Sequence, residues 1–376
     1  MVGESPDRSK TGKLRAAASA LGHGVFALVL LLCAGELLVR ELIAGPSPQI
    51  YDPLIGYSYA PYAELFQAKE GMTRLRFNSL GLNDDDITPK NGRCRVLVLG
   101  DSYTAALQVP RAQNFSSVAE QLESRLDVVN GGRDGLFLGD LHKVAKRLAR
   151  DVNPDLVVYV VSKRSVDDDI HLADFSVVVD PATGVVTDAV MRVEGKEALK
   201  QMFAPILHES ALATRLAGQL QPAVVDALKQ LRTWSQWLVP AAAAAASGPA
   251  TTAPRPSNED VLAFIFRRLA KDGPAALLYV DALTYLPNNG AKVAAPSHKA
   301  EVIARSAAAR AGVRFFTTSD HLIASMQKDG RPPFGFDNAV LPGGHLNPTG
   351  HRAVGQALLD VVRTMGPTLP TECSAK

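Results

Sequence analysis

The sequence predicts an α/β domain built on a parallel sheet, and three observations lead there. Short apolar runs recur at CRVLVLG (94–100), LDVVN (126–130), PDLVVYVV (154–161), AALLYVDAL (275–283) and GVRFFTT (312–318). Segments of helical periodicity separate them, at 112–125, 137–150, 297–311 and 348–363. The runs are nearly continuous rather than alternating, as expected of strands buried on both faces. Strands interleaved with helices imply a parallel sheet covered on each side.

Each element has its own warrant. Phe115, Val118 and Leu122 stand at helical spacing after the first strand, and Leu138, Leu141, Val144 and Leu148 after the second. Pro348 suits the first turn of the last helix, with Asn347 or Thr349 as its cap. Between the third and fourth strands lies an insertion, 166–259. FSVVVDPATGVVTDAV (175–190) reads as a hairpin turning at DPATG, residues 196–238 as mostly helical, and 240–259 as a low-complexity, disordered linker. Ahead of the sheet, residues 46–92 are rich in Pro, Gly, Tyr and Asp and read as an extended lead-in that wraps the domain. The domain is expected to run over 93–366, with a tail at 367–376.

The N-terminal residues 1–45 are of another kind. Ala16–Gly35 contains twenty residues without a formal charge, enough to span about 30 Å as a helix. Lys10, Lys13 and Arg15 precede it, so the positive-inside rule places the N-terminus in the cytoplasm and the remainder outside it. LLLCAGELL continues into leucine without a small-residue cleavage site, so an uncleaved anchor is expected rather than a signal peptide. The net charge of +2 over 376 residues argues against a nucleic-acid partner. Three cysteines build neither a disulfide scaffold nor a metal cluster. Cys94 and Cys373 read as free thiols, with a bridge as the alternative in an oxidising compartment. No metal site and no cofactor are expected, since no His or Cys falls at ligand spacing around the acidic run 167–169.

Two stretches carry chemistry. In VLVLGDSYTA (96–105), Ser102 sits on a strand-to-helix turn at the carboxyl end of the first strand, where open parallel sheets place function. In GGHLNPTGH (343–351), His345 precedes a helix start, on a loop from which an imidazole can reach a cleft. A serine needs a base for its proton and donors for the oxyanion. Ser102 supplies a backbone N–H, and Gly135 in NGGRDG allows a second to approach closely. Asp101 is expected to bond its own loop, His351 to be structural, and 167–169 to be a solvated loop or a source of acid.

VLVLGDSYT, VVNGGRDG and GGHLNPTGHRAVGQAL resemble three blocks of the SGNH (GDSL-type) hydrolase family, and FNSLGL resembles the lead-in of its membrane-anchored bacterial branch. The resemblance covers roughly 75–165 and 260–365. It implies a three-layer, flavodoxin-like, five-stranded sheet, with the insertion in place of the usual helical lid. It also implies Ser102 as nucleophile, His345 as general base, and the Ser102 and Gly135 N–H groups as oxyanion donors. Two departures stand out. The family's third-block Asn is replaced by Arg164 or Ser165, Arg164 keeping the capacity to donate. The acid expected two or three residues before His345 would fall on Gly343 or Pro342; the nearest carboxylate upstream is Asp337. The resemblance implies an esterase or acyltransferase acting on an O-acylated glycan or lipid ester. The alternative is a catalytically impaired module that binds glycan or serves a membrane O-acyltransferase or other envelope subunit. A Gly-x-Ser-x-Gly elbow, the mark of an α/β-hydrolase lipase, is absent.

Overall fold

The computed structural model describes residues 8–39, 48–52, 54–167, 175–191, 256–288, 291–295, 298–339 and 341–373, together with Ser210 and Leu212. The expectations for 196–238 and 240–255 lie outside these residues, as do Asp168 and Asp169. The chain divides into two units, Met1–Tyr51 with Glu197–Pro249, and Asp52–Lys196 with Ala250–Lys376.

In the first unit, α1 (Arg8–Leu38) contains a 20-residue stretch, Ser19–Leu38, of mean hydropathy 2.0 whose side chains are largely exposed. It is long and apolar enough to cross a membrane. Near its end the Glu36 carboxylate accepts hydrogen bonds from Ser210 Oγ (2.7 Å) and the Leu212 N–H (3.0 Å).

Short strands β1 (Gln49–Asp52), β2 (Gly56–Tyr59), β3 (Glu64–Gln67) and β4 (Thr73–Arg76) precede the sheet of the second unit. β5 (Cys94–Leu99) then leads to α2 (Ser102–Ala105) and α3 (Phe115–Leu122). β6 (Leu126–Asn130), α4 (Leu141–Val152), β7 (Leu156–Ser162) and α5 (Lys163–Asp167) follow. Next come the antiparallel pair β8 (Phe175–Val179) and β9 (Val186–Met191), then α6 (Asn258–Leu269) and β10 (Ala275–Val280). A second pair, β11 (Thr284–Asn288) and β12 (Ala291–Ala295), precedes α7 (His298–Ala311), β13 (Arg314–Thr317), α8 (Ser319–Asp329) and α9 (Pro348–Met365).

The central sheet has the order β13-β10-β7-β5-β6, and every pair in it is parallel. Counting only its five strands in chain order gives 2-1-3-4-5, the flavodoxin-like arrangement whose order reverses between the first and third strands. Alternation along each strand sorts the two faces. Leu97, Leu99, Val129, Tyr159 and Leu277 pack with α4, α6 and α7, whereas Val96, Val98, Val128, Val158 and Leu278 pack with α3, α8 and α9. All six residues of β5 are buried, which explains the unbroken apolar run. The expected three layers are present.

Two of the longer helices have no counterpart in the sequence reading. α6 begins at Ser257, which forms a reciprocal capping box with Asp260 right behind the low-complexity stretch. α8 buries only Ser319, Leu322 and Met326, a stripe too thin to signal a helix. One reading is corrected: Cys94 and Cys373 are bridged, with a Cα separation of 4.7 Å. α9 runs back along the sheet, so the tail reaches the start of β5 although 279 residues intervene.

Candidate active site

Ser102 opens α2 directly beyond β5, at the switch point between β5 and β7. Asp101 caps the short helix, its carboxylate accepting from the Tyr103 N–H at 3.0 Å. The other oxygen of Asp101 accepts from Ser162 Oγ, at the end of β7, at 3.0 Å and more distantly from Ser165 Oγ in α5. The turn that displays Ser102 is thus tied to the neighbouring strand, more widely than the expectation that Asp101 bonds its own loop. Burial pushes the Asp101 carboxyl up from its ordinary range, against those hydrogen bonds and the nearby His345 and Arg164. Neither the hydroxyl nor the N–H of Ser102 has a hydrogen-bond partner among the described residues, His345 included.

His345 lies on a loop closed by the Phe334–Leu346 bridge and by the Gly335 N–H donating to the His345 carbonyl at 2.8 Å. Asn347 caps α9 through the Thr349 and Gly350 N–H groups, while its amide nitrogen donates to Pro332 and Gly335. The loop is packed onto the nucleophile turn. Tyr103, the residue after Ser102, has its ring 5.6 Å from the His345 ring and 6.1 Å from Phe334, and its hydroxyl donates to the Gly344 carbonyl at 3.4 Å. Burial, then the charges of Asp101 and Glu70, push the Tyr103 phenol up to about 12, so it stays a neutral donor.

The carboxylate paired with His345 is Glu70, which the sequence reading missed. Its Oε2 lies 2.6 Å from His345 Nδ1 and accepts from the His345 N–H at 3.1 Å. A carboxylate only accepts, so the imidazole proton sits on Nδ1, and Nε2 is left as the basic nitrogen. Glu70 comes from the turn of the β3–β4 hairpin, 275 residues upstream. Gly344 has φ +90, and a Cβ there would stand 2.9 Å from the Glu70 carboxylate, so glycine is what lets the acid in. Only one cue was present in the sequence: a Gly-Gly pair before His345 where the family carries its acid.

Three expected site residues are placed differently. Asp337 is not the orienter: it is 74% exposed and forks onto Arg331 at 3.0 Å on the surface. Gly135 is exposed, and a Cβ on it would meet nothing within 4 Å; its φ of +71 accounts for the glycine. Gly132 instead meets the nucleophile turn, its Cβ position lying 2.3 Å from Ala105 N, while its N–H donates to Asn130 Oδ1 at 3.0 Å. Of the two candidates at the third-block position, Ser165 turns inward to Ser162 and Arg164 is exposed, near enough to influence Asp101 and Tyr103 electrostatically. His351, six residues past His345, is buried against Phe115, and desolvation then His345 push it down to about 3. It is a core residue.

The arrangement therefore holds a serine hydroxyl without a hydrogen-bond partner among the described residues, and an imidazole that is paired with a carboxylate and lies against the ring of the next residue, Tyr103. It is the set of groups that acyl transfer requires.

No protein-family model matches the chain, and no curated protein matches it. Solved structures it resembles include a member of the lipolytic protein G-D-S-L family from Veillonella parvula, at 10% identity and TM-score 0.33, covering 71% of this chain and 97% of that one. A lipase/acylhydrolase from Enterococcus faecalis aligns at 12% identity and TM-score 0.34, over 73% of this chain and 97% of the other. An acetyl xylan esterase aligns at 15% identity and TM-score 0.32, over 71% and 99%. At such scores the fold rests on the strand order of the sheet, and the site on its own distances.

Proposed function

We propose that this chain is a membrane-anchored, extracytoplasmic serine esterase or acyltransferase whose substrate is an O-acylated glycan or a lipid ester. The observation that carries this reading is the Glu70–His345 pair beside the Ser102 turn. In the reaction, Ser102 Oγ attacks the acyl carbonyl carbon while its proton passes to His345 Nε2. Glu70 holds the ring and stabilises the imidazolium. The Ser102 N–H donates to the oxyanion, with the exposed guanidinium of Arg164 as a second donor. Collapse of the tetrahedral intermediate expels the alcohol, which takes the proton from His345. Water or a glycan hydroxyl, deprotonated by the same imidazole, then removes the acyl group from Ser102.

Two features support this location. α1 is long and apolar, with basic residues on its N-terminal side. The Cys94–Cys373 bridge belongs to an oxidising compartment.

A fluorophosphonate probe tests the chemistry: wild type should be labelled, and Ser102→Ala should not. A second reading, a silent module partnering an envelope acyltransferase, draws on the missing Ser102–His345 hydrogen bond and third-block Asn. Folded wild type that stays unlabelled would favour it. A reporter fused after residue 60 should be active only outside the cytoplasm.

A further inference from the structure

The carboxylate that meets His345 is carried on the turn of a small hairpin, and one side chain clasps that turn. Asn338 is exposed on the surface, yet its carboxamide spends every bond on the turn that bears Glu70. Its Oδ1 accepts from the Gly71 N–H at 2.9 Å; its Nδ2 donates to the Ala68 carbonyl at 3.1 Å and to the Gly71 carbonyl at 2.8 Å. These bonds bracket Glu70 on both sides. Asn338 itself belongs to the loop that ends at His345, a loop closed by the Gly335–His345 hydrogen bond and the Phe334–Leu346 bridge. The histidine's own loop therefore grips the backbone on either side of the histidine's acid. Gly71 completes the seat, since a Cβ at its φ of +67 would lie 2.2 Å from the Gln108 carbonyl.

We infer that Asn338 is a positioning residue: it clasps the 68–71 turn so that Glu70 reaches His345 Nδ1, and it acts on the reaction through Glu70 alone. This rests on the serine-hydrolase reading above, but the clasp has a readout that does not depend on turnover. A hairpin set free by loss of the clasp moves the carboxylate away by an ångström or more, and misplacement of that order costs roughly 100-fold in rate.

The experiment compares full-length wild type, Asn338→Ala, Asn338→Asp, Glu70→Gln and the Asn338→Ala/Glu70→Gln double variant, with thermal unfolding as the folding control. Labelling by the fluorophosphonate should slow roughly 10- to 100-fold in Asn338→Ala. Asn338→Asp, which keeps the acceptor and loses both donors, should fall between it and wild type. In the Glu70→Gln background the alanine should add no further loss, because contacting residues of one network are not additive. Independently, carbethoxylation of His345 by diethylpyrocarbonate at pH 6, read by peptide mass spectrometry, should speed up in Asn338→Ala to the Glu70→Gln level. Additive losses, or His345 carbethoxylation unchanged from wild type, would overturn the assignment. If wild type is never labelled, the hydrolase reading fails, and the carbethoxylation result alone decides whether the clasp seats Glu70.

Discussion

The parallel sheet and the β3–β4 hairpin both feed the same site, and they are built in opposite ways. β5 buries all six of its residues and β10 five of six, within apolar layers on both faces. The hairpin alternates buried and exposed positions, leaves Phe66 61% exposed, and meets the His345 loop through polar contacts: Asn338 to its turn and Glu70 to the histidine. Burial stabilises in proportion to apolar area removed from water, whereas an exposed polar contact contributes on the order of 1 kcal/mol. The sheet thus sets most of the stability, while the hairpin, packed through Leu75 and Leu65 beside Ala105 and Leu107, carries the carboxylate to His345. Stability and rate should be separable by substitution.

The largest expected effect breaks the hairpin side. Glu70→Gln keeps the size of the side chain but removes the charge that fixes the imidazole, and should lower acyl-transfer rate by about 10³–10⁴-fold with little change in Tm. A comparable loss of Tm would show that the hairpin belongs to the folding core after all. Next in size is the sheet side. Replacing both Cys94 and Cys373 by alanine opens a link across 279 residues and should cost about 2–5 kcal/mol of stability, read by denaturant unfolding, with the labelling rate of the folded fraction retained.

The next effect is confined to acid and reaches the size of the disulfide's only near pH 3. His351 stays neutral in the fold down to about pH 3, whereas in the unfolded chain it takes a proton near 6.5. Below 6.5 the unfolded state therefore binds more protons, and stability should fall as pH falls toward 3. The slope contributed is at most about 1.4 kcal/mol per pH unit. In His351→Gln that part of the slope should vanish from the Tm–pH curve. The smallest effect sharpens the comparison. Asp337→Ala, next to Asn338 but paired outward with Arg331, should change both rate and stability by less than about 0.5 kcal/mol. A large loss there would move the orienting role back to the position the loop alone suggests.

How far the sequence could be read varied with the range of the interactions. The hairpin at 175–190 was legible because its turn chemistry is local, and β8 and β9 pair as expected. Gly132 and Gly135 were not separable by eye, since both sit in one loop; only the approach of the Thr104–Ala105 backbone distinguishes the crowded glycine from the open one. Asp337 was a natural guess from proximity along the chain. Proximity along the chain says nothing about a hairpin that arrives from the other end.

The residues alone determined the layered sheet, the long apolar N-terminal helix, and the placing of Ser102 and His345 at the sheet's carboxyl edge. These follow from periodicity, turn chemistry and capping, each written within a dozen neighbouring residues. Only the tertiary structure decided the acid and the disulfide, because Glu70 meets His345 across 275 residues and Cys94 meets Cys373 across 279. No local pattern encodes such meetings; they arise when α9 packs on the sheet and the lead-in hairpin packs beside the turn that follows β5, which fixes where their ends must lie.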